Sequence, residues 1–189
     1  MNLNYTLILG SRSARRQEIM RNAGFEFKVV SIDCEETFPP ELDLHNIPKF
    51  LAEKKSRAYK TPLEENEMLI TADTIVLLNN NVLGKPATIN EAKATLTLLS
   101  GKSHEVITGV CIRTNVKTVS FHEKTTVSFV ELSGNEIDYY IEKQNPIDKA
   151  GAYGIQEWIG LIGVESIIGS YYNVVGLPIH KLYSEMKQF

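Results

Sequence analysis

Apolar positions fall into short β-branched runs that alternate with segments whose apolar residues recur every three or four positions, the periods of strand and helix. Tyr5 to Leu9 reads as a first strand, Gly10 to Ser13 as a turn, and Ala14 to Ala23 as a helix stopped by Gly24, a residue that takes the left-handed conformation past a helix end. Phe25 to Val30 is a second strand, and Pro48 to Tyr59 a helix with proline in its first turn. Met68 to Leu78 is strongly strand-like, and Asn79-Asn80-Asn81 turns it into Val82-Leu83 as a hairpin. Thr88 and Ser133 each stand three residues before a glutamate, Glu91 and Glu136, which is capping-box spacing. The first of these helices ends near Ser100-Gly101 and the second at about Lys143. His104 to Arg113 and Lys117 to Glu131 read as a pair of long strands, and Pro178 to Met186 as a terminal helix with Ile179, Leu182, Tyr183 and Met186 on one face.

Alternating strands and helices indicate an α/β fold, and consecutive strands joined by short turns make its sheet mixed. No linker, repeat or low-complexity tract divides the chain, so residues 1–189 read as one domain. Its 43% hydrophobic and 23% charged residues are ordinary for a globular protein. The formal net charge of −3 excludes a broad cationic field for nucleic acid, so polyanions would have to meet a local basic cluster. Cys34 and Cys111 match no zinc or redox spacing and read as reduced thiols. The start lacks a basic leader and Leu7-Ile8-Leu9 is too short to span a membrane, so a cytoplasmic location is expected.

Five features carry candidate chemistry. Gly10-Ser11-Arg12-Ser13-Ala14-Arg15-Arg16 follows a strand and opens a helix, where free backbone N–H groups and the dipole attract phosphate. Arg15 and Arg16 oppose that dipole by about 0.3–1 kcal/mol each, which an anion between dipole and guanidinium would reverse. The same residues also fit a serine cap followed by solvated arginines. Asp73 interrupts the apolar run 68–78, and a carboxylate there must be paired, metal-bound or facing a cleft, or else held by backbone N–H groups; Thr74 stands beside it. Lys54, Lys55, Lys85 and Lys149 sit by turns or helix ends, as phosphate-binding point charges or as solvated lysines. Asp33-Cys34-Glu35-Glu36 is an acidic loop with oxygen ligands for a hard cation, or simply a solvated loop. Residues 150–156 and 169–178 are rich in glycine and aromatics; Gln156 can read a base edge through its amide, and tight turn packing explains the glycines equally. Phosphate loops of the Gly-x-x-x-x-Gly-Lys type, dinucleotide fingerprints and serine nucleophile elbows are absent, and the four histidines lack ligand spacing.

In order, these motifs resemble the Maf family of nucleotide pyrophosphatases over essentially the whole chain. Ser11, Ser13, Arg15 and Arg16 are similar to its Ser-x-Ser-x-Arg-Arg signature, Lys55 to the lysine of its Lys-x-x-Ala helix, and Ala72-Asp73-Thr74 to its Ala-Asp-Thr strand. Gly84-Lys85-Pro86, Ser100 to His104 and Asp148 to Gln156 follow in matching order. The resemblance implies a mixed central sheet flanked by helices, two lobes around a nucleotide-binding cleft as in inosine-triphosphatase-like folds, and a homodimer. It implies hydrolysis of a nucleoside triphosphate to monophosphate and pyrophosphate. The Lys149 and Gln156 form of the late motif is similar to the branch acting on dTTP and UTP rather than the branch acting on 7-methyl-GTP. Asp73 would be the catalytic base; Ser11, Arg15, Arg16, Lys55, Lys85 and Lys149 would bind phosphate; Arg15, Thr74 and Gln156 would set specificity. Glu35 and Asp73 would hold a divalent cation, Mg²⁺ or Mn²⁺. Three departures are Arg12 for a small residue, Ala14 for proline, and Glu157-Trp158 directly after Gln156. A nucleotide-binding regulator of cell division with incidental turnover fits the same motifs, whereas nucleic acid and membrane do not fit as partners.

Overall fold

The computed structural model describes residues 4–189. Its strands are β1 (Thr6–Leu9), β2 (Phe27–Val29), β3 (Glu67–Leu78), β4 (Asn81–Leu83), β5 (Ser103–Arg113), β6 (Thr118–Phe129) and β7 (Val164–Ile168). The helices are α1 (Ala14–Asn22), α2 (Ile47–Ala58), α3 (Ile89–Leu99), α4 (Gly134–Gln144), α5 (Trp158–Ile162), α6 (Tyr171–Val175) and α7 (Ile179–Met186). Strand order is β2-β1-β3-β5-β6-β7, with β4 pairing β3. β1 runs parallel to β2 and β3, while β3–β4 and β6–β7 are antiparallel. The sheet is therefore mixed, as the short inter-strand turns predict.

The chain divides into two compact units. Of the described residues, the first comprises 4–73, 108–123 and 176–189; the second comprises 74–107 and 124–175. In the first, Leu7, Ile8 and Leu9 of β1 and Met68, Leu69 and Ile70 of β3 are buried, with Ile47, Leu51 and Ala52 of α2. The near-continuous burial of β3 is what a parallel-paired central strand requires of its sequence. In the second, Leu96 and Leu99 of α3, Val106 and Ile107 of β5, Tyr140 of α4 and Ile159 of α5 are buried.

Local chemistry explains most boundaries. Asn79 and Asn80 both take positive φ, 49° and 64°, between the paired Leu78 and Asn81, so the hairpin has the two-residue turn that asparagine tolerates. The Ser133 capping box forms in full. At α3 it forms by half: Thr88 accepts from the Glu91 N–H, but the Glu91 carboxylate accepts from Ala87 N at 2.8 Å, one residue before the cap. Helices α5 and α6 and strand β7 lie where the sequence shows only closely spaced glycines, Gly160, Gly163 and Gly169, which hide five-residue elements.

Candidate active site

In the first unit, two periodicities meet. Thr71 and Asp73 lie on one face of β3, two residues apart, and Ala52 and Lys55 lie on one face of α2, three apart. Thr71 Oγ1 donates to the Ala52 carbonyl at 2.7 Å, and Lys55 Nζ donates to Asp73 Oδ1 at 2.5 Å. The neutral bond fixes helix against strand, and the ion pair uses that registry one step further along. The Lys55 and Asp73 side chains are 13% and 11% exposed, so the carboxylate inside the strand is paired rather than orphaned.

Lys55 also donates to Glu36 Oε1 at 2.7 Å, and the adjacent Lys54 donates to the Thr37 carbonyl and hydroxyl at 2.9 and 2.7 Å. Consecutive lysines thus fasten the acidic loop to α2. The carboxylate that this brings to Lys55, and through it to Asp73, is Glu36. Glu35, the residue expected from the sequence, is exposed one position earlier. An acidic pair was the signal, but an exposed loop without periodicity does not say which member meets Lys55.

The serine–arginine turn starts at Gly10, whose N–H donates to Ile70 O at 2.8 Å. A Cβ at Gly10 would lie 2.5 Å from Ile32 Cδ1 and 2.8 Å from Thr71 Cγ2, so only glycine lets β1 leave the sheet this closely. Ser13 caps α1, its hydroxyl accepting from Arg16 N at 3.5 Å, and Ser11 Oγ accepts from Ser13 N at 3.3 Å. The serine cap is present, but Arg16 is not a solvated cation. Its Nε donates to the Gly176 carbonyl at 2.8 Å and its Nη1 to the Ala72 carbonyl at 2.9 Å and to Ser11 Oγ at 3.3 Å. Burial pulls the Arg16 guanidinium below its ordinary pKa, while Asp73 acts to raise it. Arg16 therefore braces the backbone beside Asp73. Arg15 is half-buried on the first turn of α1, and its charge acts on Arg16.

The remaining predicted residues belong to the second unit. Thr74 is half-buried directly after Asp73, and Lys85 is exposed just beyond β4. Gln156 is exposed. Lys149 is only 7% exposed, and its ammonium lies 2.8 Å from Asp148 Oδ1 and 3.1 Å from Glu157 Oε1. Tyr140 donates its hydroxyl to Glu157 Oε2, a contact that the sequence did not suggest. Trp158 packs edge-on against Tyr139 at 4.9 Å between ring centroids.

Among the described residues no group of three or more His, Cys, Asp and Glu side chains is placed to hold a metal, and Cys34 and Cys111 are free thiols. His104 is buried with its Nε2 2.7 Å from Tyr153 Oη, a packing histidine. No described helix is long and apolar enough to cross a membrane.

Residues 6–189 match the family described as Maf-like protein. The chain belongs to the Maf family. It is 50% identical over 186 residues to a Parabacteroides distasonis protein named dTTP/UTP pyrophosphatase, covering 98% of this chain and 96% of that one. A Porphyromonas gingivalis protein of the same name is 45% identical over 188 residues, covering 98% and 94%, and one from Flavobacterium johnsoniae is 47% identical over 179, covering 95% and 92%. Among solved structures, the Staphylococcus aureus Ham1 protein is similar at 13% identity with a TM-score of 0.46, over 66% of this chain and 71% of that one.

Proposed function

We propose that this Maf-family chain is a nucleoside-triphosphate pyrophosphatase that hydrolyses dTTP and UTP to the monophosphate and pyrophosphate. The observation that carries the chemistry is the Asp73–Lys55–Glu36 ion-pair chain, held next to a serine–arginine turn by an arginine bonded to the carbonyl preceding Asp73. The base preference is supported by the shared name of relatives at 45–50% identity over nearly the whole chain.

In this reading Asp73 accepts a proton from the water whose oxygen attacks the α-phosphorus. The α–β bridging bond breaks and its electrons leave with pyrophosphate. Ser11, Arg15 and Lys85 bind phosphate oxygens as negative charge builds, each contact worth about 2–4 kcal/mol in the transition state. Arg16 holds the turn and the strand end in place rather than meeting phosphate first. Lys55 orients Asp73. Thr74, Arg15 and Gln156 select the base.

A divalent cation, Mg²⁺ or Mn²⁺, fits the donor set as one brought by the triphosphate: two carboxylates suffice for a hard ion that keeps waters and takes its other ligands from phosphate. Asp73 and Glu36, which share Lys55, would hold it, and it would neutralise phosphate charge. The reading includes a cytoplasmic homodimer, supported by the family resemblance.

The test is a pyrophosphate-release screen over dTTP, UTP, the purine triphosphates and 7-methyl-GTP, with Mg²⁺ and Mn²⁺. Preferred turnover of dTTP and UTP at micromolar to millimolar substrate is expected. Preferred turnover of 7-methyl-GTP places the chain with the sister activity, and binding without turnover makes it a nucleotide-sensing protein.

A further inference from the structure

The unit formed by residues 74–107 and 124–175 contains an ionic cluster that phosphate chemistry does not explain. Lys149 has an almost fully buried side chain, 8% exposed, and a buried ammonium must be paired. Of its two carboxylates, Asp148 is 64% exposed and screened by water, whereas Glu157 is 22% exposed. Glu157 is therefore the partner that compensates the burial. Its other carboxylate oxygen accepts from the hydroxyl of Tyr140, a residue with no exposed surface. Burial, reinforced by the hydrogen bond to Glu157, raises the Tyr140 pKa, so the phenol stays a donor.

The same hydroxyl accepts from the Gly154 N–H at 3.0 Å, and Glu157 N donates to the Gly154 carbonyl at 3.0 Å. Residues 154–157 thus form a closed turn whose first and last members are both tied to one buried phenol, and Gln156 is its third residue, side chain exposed. A Cβ on Gly154 would lie 2.6 Å from Glu157 Cδ and 2.7 Å from Oε2, so the carboxylate occupies the space that the missing side chain leaves.

Resting on the pyrophosphatase reading, we propose that Glu157 is a specificity-positioning residue: with Tyr140 and Lys149 it presets the turn that presents Gln156 to the base. A preset amide loses little freedom when it binds, so its contribution falls on recognition of the base rather than on the attack at phosphorus.

The variants are Glu157→Gln, which keeps an acceptor for Tyr140 and removes the charge facing Lys149, and Gly154→Ala, which displaces the carboxylate without deleting it. Steady-state pyrophosphate release from dTTP, UTP and dATP is measured for each, alongside amide exchange of residues 154–157. Expected is a rise of about tenfold in KM for dTTP and UTP, kcat within about threefold, a narrower pyrimidine-to-purine ratio of kcat/KM, and faster exchange in the turn. Unchanged KM and base ratio in folded variants, or a fall in kcat alone, overturns the proposal while leaving the pyrophosphatase reading intact. A wild-type protein that releases no pyrophosphate overturns that reading; exchange then decides the positioning role, which fails if the turn exchanges equally fast in wild type and variants.

Discussion

Replacing Lys55 by methionine tests the architecture of the first unit most directly. The change preserves much of the side-chain length and its packing but removes the ammonium from between Asp73 and Glu36. Two contacts are lost and they are unequal. Glu36 is 48% exposed, so its half of the pair is solvent-screened and contributes less than about 1 kcal/mol. Asp73 is 11% exposed within an apolar strand, and removing one partner of a buried pair costs about 3–5 kcal/mol because the other charge is left unpaired. The expected loss is therefore about 3–5 kcal/mol, dominated by the stranded Asp73. With a urea slope of about 2 kcal/mol/M this moves the midpoint down by about 2 M. Removing both charges, Lys55→Met with Asp73→Leu, strands nothing and restores the midpoint to within about 0.5 M of wild type. Equilibrium urea unfolding followed by circular dichroism reads both. A Lys55→Met midpoint indistinguishable from wild type, or a double variant as weak as the single one, would refute the assignment of the cost to an unpaired buried carboxylate.

Asp73→Asn retains the volume of the side chain and leaves Lys55 its bond to Glu36, so the variant folds, binds nucleotide and loses at least about a hundredfold in kcat; near-wild-type pyrophosphate release would remove Asp73 from the base role. Arg16→Lys cannot reach the Gly176 and Ala72 carbonyls together with a single point charge, and is expected to lower stability by about 2–3 kcal/mol in urea titration, with turnover falling because the strand end beside Asp73 loosens. His104 is pulled down to about 4 by burial, so the native state rejects its proton. Its contribution is complete above pH 6.5 and is lost as pH falls toward 4, in total about 3 kcal/mol. His104→Gln flattens that part of the stability–pH curve, and a variant with the wild-type slope would show that another group titrates.

Much of the fold was written locally. The apolar run of β3, the asparagines at 79 and 80 and the serine cap of α4 each act on their own few residues, and the structure follows them. Asp73 was conspicuous for a local reason, since a carboxylate in a buried strand must be paired, metal-bound, facing a cleft or held by backbone N–H groups, but its partner Lys55 lies eighteen residues away. What stayed hidden depends on partners distant in sequence or on the register of loops. The choice of Glu36 over Glu35 is made by Lys55, nineteen residues on. The bonds from Arg16 to the carbonyls of Ala72 and Gly176 are likewise invisible in the sequence. The pairing of Lys149 with Glu157, and of Glu157 with the buried Tyr140, is equally hidden. The short β7 is hidden because its five residues between glycines, none of them buried, are too few for a period to register.

The bond from Arg16 to Gly176 joins residues 160 positions apart. A chain emerging from a ribosome therefore carries its serine–arginine turn, its strand aspartate and its lysine helix into solution long before the carbonyl that braces the turn has been made. Closing so long a loop is entropically slow, and it comes after the local hairpin and helices can form. Nucleotide-handling competence accordingly waits for synthesis of residue 176. Chains not yet extended past Gly176 should meet the triphosphate pool without a finished first unit, so synthesis of that carbonyl, rather than appearance of the motif, precedes turnover.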